Sequence, residues 1–283
     1  MDFSVIVPCF NCEAFLERCL TALSTQTWPR NEYEVILVDN NSTDGSLKIA
    51  RRFPGVILLN ETVQGSYAAR NFGVRHSSGR LIAFIDPDCE GGPAWLETMA
   101  AAFARPGTAV ALGDVRFARE SFGLTLAADY ETQKAKYVWG GHGRRLGYVY
   151  ANNMTVCRDV FEKCGPFEQI ERGGDVVFSS RVVTNYGAES VRCIPNTVSH
   201  LEINHLSDWF RKLNTYGRSY VNYSRLSHTK SLSFRDRFEV MRQTIACNQY
   251  STPRSLSLAG LLALGCARYD FSRLVHSIRN GTK

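Results

Sequence analysis

Two aspartates one residue apart, Asp86 and Asp88, end the apolar run Leu81-Ile82-Ala83-Phe84-Ile85. Ser77-Ser78-Gly79-Arg80 precedes the run and Gly91-Gly92-Pro93 follows it. The pattern predicts a short buried strand with turn chemistry at both ends. Carboxylates this close repel each other unless a cation or a strong donor lies between them. Hard oxygen ligands leaving a strand suit Mg²⁺ or Mn²⁺ carrying a phosphate-bearing ligand. A solvated turn is the alternative for an isolated Asp-x-Asp pair. What decides between them is the set of elements that position the pair.

Phe3-Ser4-Val5-Ile6-Val7-Pro8 reads as a first strand, with Asn11 placed to cap the following helix. Cys12, Phe15, Leu16, Cys19, Leu20 and Leu23 give that helix one buried face. Glu34–Asp39 is a second strand, again ending in a carboxylate, and the turn-rich 40–46 opens a second helix to about Phe53. Val56–Leu59 is a third strand and Ser66–His76 a third helix, before the central strand ending at Asp86. Pro93 opens a helix to about Arg105, and Ala109–Phe117 is a further strand. Strands alternating with helices predict an α/β fold: a mostly parallel, Rossmann-like sheet with helices on both faces. Ligands of such sheets sit at the carboxyl ends of the strands. Pro8, Asp39, Asp86 and Asp88 all fall there. Asp39 is suited to accept a hydrogen bond from a base N–H, with main-chain amides around Asn40, Asn41 and Asp44 beside it. The segment Gly65–Gly73 has neither the Lys-Ser/Thr of a P-loop nor a G-x-G-x-x-G pattern, which argues against a classical ATPase or a nicotinamide site.

Four segments occur in order: Val7-Pro8-Cys9-Phe10-Asn11, Val38 through Ser46, Ala69-Arg70-Asn71-Phe72-Gly73, and Phe84-Ile85-Asp86-Pro87-Asp88. Together, over about the first 200 residues, they resemble the family 2 glycosyltransferases of the GT-A fold. The resemblance implies a nucleotide-diphosphate-sugar donor, a UDP-sugar favoured, a divalent cation (Mg or Mn), and transfer with inversion to a hydroxyl acceptor. It places Pro8, Asn11, Asp39, Asn41, Arg70, Asp86 and Asp88 around the donor. Asp39 reads the base, Arg70 lines the nucleotide pocket, Asp86 faces the ribose and sugar, and Asp88 binds the metal. His200 matches a family position near the metal or diphosphate, where it is either a metal ligand or a structural residue.

The segment from Asn152 to Phe178 is similar to the family's second signature, and Asn153 is an acceptor-side candidate within it. Asp175 matches the aspartate that takes the acceptor's proton, with a helix cap as the alternative. The glutamate usual before that aspartate is Gly174 here, with Glu171 the nearest candidate to compensate. Arg144 and Arg145, in a Gly-rich stretch, read as a lid, a clamp for an acceptor phosphate, or a plain surface loop.

The expected division is a GT-A domain over 1–204, its nucleotide-sugar half 1–118 and acceptor half 119–204, then a basic helical extension over 205–283. The chain of 283 residues carries a net charge of +6, and His205 onward holds 13 Lys and Arg against 4 Asp and Glu. Helices are expected from Asp208 to about Leu226, from Phe234 to about Tyr250, and, short and apolar, from Ser255 to Ala267. Their mixed basic and aromatic residues suit a saccharide or lipid-linked acceptor, or peripheral contact with an anionic membrane, unless they only pack on the catalytic domain. No nucleic-acid module is present. No run reaches the length of a membrane span and no secretory signal is read at the N-terminus. The expectation is therefore a cytoplasmic enzyme of cell-envelope polysaccharide or glycolipid synthesis. Cys9 and Cys12 have redox spacing, but the nine cysteines are most simply reduced thiols. Two alternatives remain: a nucleotide-binding relative without catalysis, and an Asp-x-Asp phosphatase.

Overall fold

A computed structural model describes residues 1–117, 119–142, 150–227 and 229–279. Arg144 and Arg145 lie outside the described residues. The contacts divide the chain into two compact units, Met1–Val115 with Val149–Leu201, and Arg116–Tyr148 with Glu202–Lys283. The segment 116–148, placed by its sequence order in an acceptor half, thus groups with the C-terminal helices.

The first unit is built on β1 (Phe3–Cys9), β2 (Tyr33–Asp39), β3 (Val56–Asn60) and β4 (Leu81–Ile85). These strands pair in parallel, β1 between β2 and β4, and β2 between β1 and β3. Every residue of β1 and β4 is buried, which is why both read as unbroken apolar runs. The chain leaves β1 toward β2 and β3 on one side and returns to β4 on the other, so a crevice opens between the ends of β1 and β4.

Beyond β4 the sheet continues with β5 (Cys89–Gly91), β6 (Val110–Phe117), β7 (Asn153–Cys157) and β8 (Val191–His200), in the order β3-β2-β1-β4-β7-β6-β8-β5. β7 runs against both β4 and β6, so it alone opposes the common direction of the first six strands. β8 runs to His200, so that this histidine ends a strand.

Helices α1 (Glu13–Ser24), α2 (Ser46–Ala50), α3 (Ser66–Arg75) and α4 (Trp95–Phe103) pack against the sheet, with α6 (Arg158–Cys164) and α7 (Gly174–Tyr186) after β7. The α5 helix (Phe122–Tyr137) belongs to the second unit. Leu16, Cys19, Leu20 and Leu23 form the buried face of α1, as the helical spacing predicts.

The second unit holds α5, α8 (Leu206–Ser227), α9 (Phe234–Cys247) and α10 (Thr252–Arg279). Its core joins Leu124, Ala127 and Tyr130 to Trp209, Val240, Leu258 and Leu262. Ser233 and Asp236 close a capping box on α9. α10 is 28 residues long, not the short segment expected. Arg268, Tyr269 and Asp270 interrupt the apolar run without stopping the helix, which continues amphipathically through Phe271 and Ile278. Among the described residues no helix is long and apolar enough to cross a membrane.

Candidate active site

The loop after β2 is fastened to α1 by reciprocal bonds. Asp44 Oδ2 accepts from Glu13 N at 3.0 Å, Ser46 Oγ from Cys12 N at 2.9 Å, and Glu13 Oε2 from Gly45 N at 2.8 Å. Asn11 is therefore not the cap of α1, whose N-cap is Cys12 with no side-chain capping bond. Asn11 instead accepts from Thr43 N at 2.8 Å and lies in the left-handed region at φ 49°. Asn41 is left-handed too, at φ 68°, and its amide donates to Thr62 O and Gln64 Oε1. Short polar side chains tolerate that backbone, so both asparagines shape the corner.

Asp39 ends β2 at 4% exposure, with Ser42 N donating to its Oδ1 at 3.3 Å. Buried Asn40 donates to Glu61 O and Val63 O and accepts from Gly65 N at 2.7 Å, setting the entry to α3. Pro8 is buried in β1 opposite Val38. Cys9 and Cys12 flank this corner with their sulfurs 2.8 Å apart, both free and buried. The hydrogen bond from Cys12 lowers the Cys9 thiol.

The Ala69–Gly73 motif now has a physical basis. Arg70 forms an ion pair with Asp86 and is 5% exposed. Its Nε has no hydrogen-bond partner, leaving a buried donor for an anionic ligand. Asn71 donates to Phe167 O at 2.9 Å and accepts from Phe167 N at 3.0 Å, which ties α3 to the loop before α7. Gly73 lies where a Cβ would come 2.6 Å from Ile6 Cγ2. Only glycine lets α3 approach β1 that closely.

Asp86 and Asp88 have separate partners. Asp86 is neutralised by Arg70, while Asp88 Oδ2 lies 3.4 Å from His200 Nε2. Pairing of β5 with β8 sets Cys89 opposite His200, and Leu201 N donates to Asp88 O at 2.7 Å. Ligand atoms of Asp88, Cys89 and His200 lie within 4.8 Å of one another. A carboxylate oxygen suits Mg²⁺ or Mn²⁺, an imidazole nitrogen beside it favours the transition metal Mn²⁺ over Mg²⁺, and a thiol suits neither.

Asp175 sits in the first turn of α7. Its Oδ1 accepts from Tyr67 OH at 2.8 Å and from Val176 N at 2.9 Å, and its Oδ2 from Ala151 N at 3.0 Å. Burial pushes its carboxyl above the ordinary range, against the pull of those three donors and of the Arg70 charge. Tyr67, Arg70 and Asp86 thus link the Asp175 corner to the Asp88 corner. Glu171 is exposed.

Asn153 is not placed to meet an acceptor. It is 1% exposed, accepts from Trp95 Nε1 at 2.8 Å and donates to Asp114 O at 2.8 Å. It bridges β6, β7 and α4 inside the sheet. Sequence reasoning did not single out Tyr67, Asn71 or Cys89. Only the fold shows what they touch.

The model of the family described as glycosyl transferase family 2 matches residues 4–164. Glycosyltransferase AglE of Haloferax volcanii is 37% identical over 184 residues, 63% of this chain and 60% of AglE. The uncharacterized glycosyltransferase YibD of Escherichia coli is 37% identical over 100 residues, 34% of this chain and 28% of its own. The matches thus span 60% or less of these relatives' lengths. Among solved structures, the mannosyltransferase PcManGT from Pyrobaculum calidifontis, in complex with GDP-Man and Mn²⁺, gives a TM-score of 0.61 at 19% identity, covering 98% of this chain and 84% of that one. Glucosyl-3-phosphoglycerate synthase from Mycobacterium tuberculosis, with Mn²⁺, UDP-glucose and phosphoglyceric acid, gives 0.60 at 16% identity, covering 81% of each. At these identities the likeness is one of fold, and the fold is of the GT-A type. With the family model spanning more than half of the chain, the protein belongs to glycosyl transferase family 2.

Proposed function

We propose that this chain transfers a sugar from a nucleotide-diphosphate-sugar, a UDP-sugar favoured, to a hydroxyl acceptor with inversion at the anomeric carbon. The observation that carries the reading is the linked set Asp88–His200, Asp86–Arg70 and Tyr67–Asp175 at the crevice between β1 and β4. Asp39 accepts from a base N–H and the amides of 40–44 complete the base corner. Arg70 offers its uncommitted Nε to the diphosphate. Asp88 and His200 are the residues that would hold a divalent cation, which supplies Lewis-acid stabilisation of charge on the departing diphosphate. Asp175 takes the proton from the acceptor hydroxyl as its oxygen bonds the anomeric carbon and the carbon–diphosphate bond breaks. PcManGT and glucosyl-3-phosphoglycerate synthase, with Mn²⁺ beside a nucleotide sugar in their structures, support the choice of donor class and cation.

The phosphatase reading needs an unencumbered Asp86 nucleophile, and the ion pair with Arg70 disfavours it. For the acceptor, the exposed Phe271, Leu274 and Ile278 share one face of α10, and Arg218, Arg268 and Arg279 line a groove with Phe271. That combination supports peripheral contact with an anionic membrane and a lipid-linked acceptor, in keeping with envelope glycan synthesis.

The test is turnover of UDP-glucose, UDP-N-acetylglucosamine and GDP-mannose with Mn²⁺, following the released sugar's anomer by proton NMR. Release of an inverted sugar from one donor is expected. Retention of configuration, or no turnover of any donor, would contradict the reading.

A further inference from the structure

Tyr67 has no place in the donor chemistry, yet it is 6% exposed and built into the Asp175 corner. Its phenol oxygen accepts from Gly173 N at 3.1 Å and donates to Asp175 Oδ1 at 2.8 Å. An ionised Asp175 carboxylate has no hydrogen to give, so the phenol is the donor of the second bond. The ring is held on one side by Phe167, with centroids 5.5 Å apart, and the Arg70 guanidinium carbon lies 5.3 Å from its centroid. Burial, and then the Asp175 charge, raise the phenol well above its usual range. Tyr67 therefore keeps its proton and stays a donor to Asp175.

Gly174 explains why a tyrosine stands here. A Cβ at position 174 would come 2.6 Å from Glu168 O and 3.0 Å from two carbons of the Tyr67 ring. The family pattern places a glutamate at that position, and the Glu168 carbonyl, with the Tyr67 ring crowding beside it, excludes a side chain there. The substitution changes the electrostatics of the base. A neighbouring carboxylate disfavours ionisation of Asp175, whereas a hydroxyl donor favours it. The titratable and charged groups facing Asp175 are Tyr67 and Arg70, both from α3; Ala151 and Val176 contribute backbone amides.

We propose that Tyr67 is the positioning residue of the base: its phenol aims one oxygen of Asp175 and holds the carboxylate in the ionised, proton-accepting form in place of an acidic neighbour. The inference rests on the reading of Asp175 as the acceptor base. Tyr67 itself neither gains nor loses a proton in the transfer.

The test compares wild type with Tyr67→Phe, which keeps the ring and its packing. Protein carrying ¹³C at the aspartate carboxyls is titrated by NMR, the Asp175 signal being identified by its loss in Asp175→Asn. The midpoint of Asp175 is expected to move up by about one pH unit in Tyr67→Phe, and an unchanged midpoint would overturn the proposal. This arm needs no substrate and stands even if no donor is turned over, an outcome that would count against the functional reading alone. The second arm follows whichever of UDP-glucose, UDP-N-acetylglucosamine or GDP-mannose the wild type consumes with Mn²⁺. Tyr67→Phe should leave KM unchanged and move the acid limb of kcat up by about one pH unit, with up to about 10-fold lower kcat on the acid side of the wild-type midpoint and the lost rate recovered as pH rises. A loss of equal size at every pH would mark Tyr67 as merely structural and overturn the proposal.

Discussion

Asp86 and Asp88 are neighbours in sequence with different work to do. Arg70 neutralises the first, while the second faces His200, the pair proposed to hold the cation. Asp88→Ala should abolish nearly all donor turnover while leaving the melting temperature within a few degrees, as its side chain is not part of the core. Near-normal turnover of that variant with Mn²⁺ would remove Asp88 from the metal site. Asp175→Asn should lower kcat by about 10²-fold or more with nucleotide affinity kept, checked by turnover and binding on one preparation. The buried Asp175 carboxyl titrates above its ordinary range. The base is active only when ionised, so kcat should fall as pH drops through that raised value, an acid limb lying above the usual carboxylate region. A limb at the ordinary carboxylate position would contradict the role. Asp39, Asp86, Asp88 and Asp175 were legible because acids at strand ends and helix starts stand out against apolar runs. Tyr67 was not, because an aromatic in a helix reads as packing until its hydroxyl is seen to meet an acid 108 residues away.

At the scale of elements, the strands that matter were read from sequence because β1, β2 and β4 are buried runs bounded by turns. The three-residue β5 was not, being too short to show a period. Nor was the reversed direction of β7 visible, since burial on both faces carries no sign of polarity. Helix α10 outran its apolar segment because its lower half is amphipathic, not uniformly apolar. Asn153 misled for a related reason: an asparagine at the start of a strand suggests a ligand group, while its real partners lie on α4 and β6. Asn153→Ala removes the acceptor of the buried Trp95 indole N–H and a donor to the half-buried Asp114 carbonyl. The expected cost is about 1–3 kcal/mol per unsatisfied group, read as a fall in denaturant midpoint. Unchanged stability would mean that the bridge contributes nothing.

For the molecule as a whole, the first unit carries every residue proposed to touch the donor or the base, and the second carries most of the positive charge. The charge asymmetry was plain in the sequence; the membership of 116–148 was not, because it depends on contacts between α5 and helices more than a hundred residues later. The membrane proposal belongs to this scale. The protein should sediment with vesicles of phosphatidylcholine containing about a third phosphatidylglycerol and not with phosphatidylcholine alone. Phe271→Asp with Ile278→Asp should abolish that binding without loss of donor turnover, and equal recovery with neutral vesicles would count against it.

Calorimetric titration of UDP and GDP into the purified protein, with and without Mn²⁺, tests the donor site most directly. Binding of one nucleotide that requires Mn²⁺ and is lost in both Asp39→Ala and Asp88→Ala is the predicted result. Binding of neither nucleotide, or binding indifferent to Mn²⁺ and to both substitutions, would contradict the site.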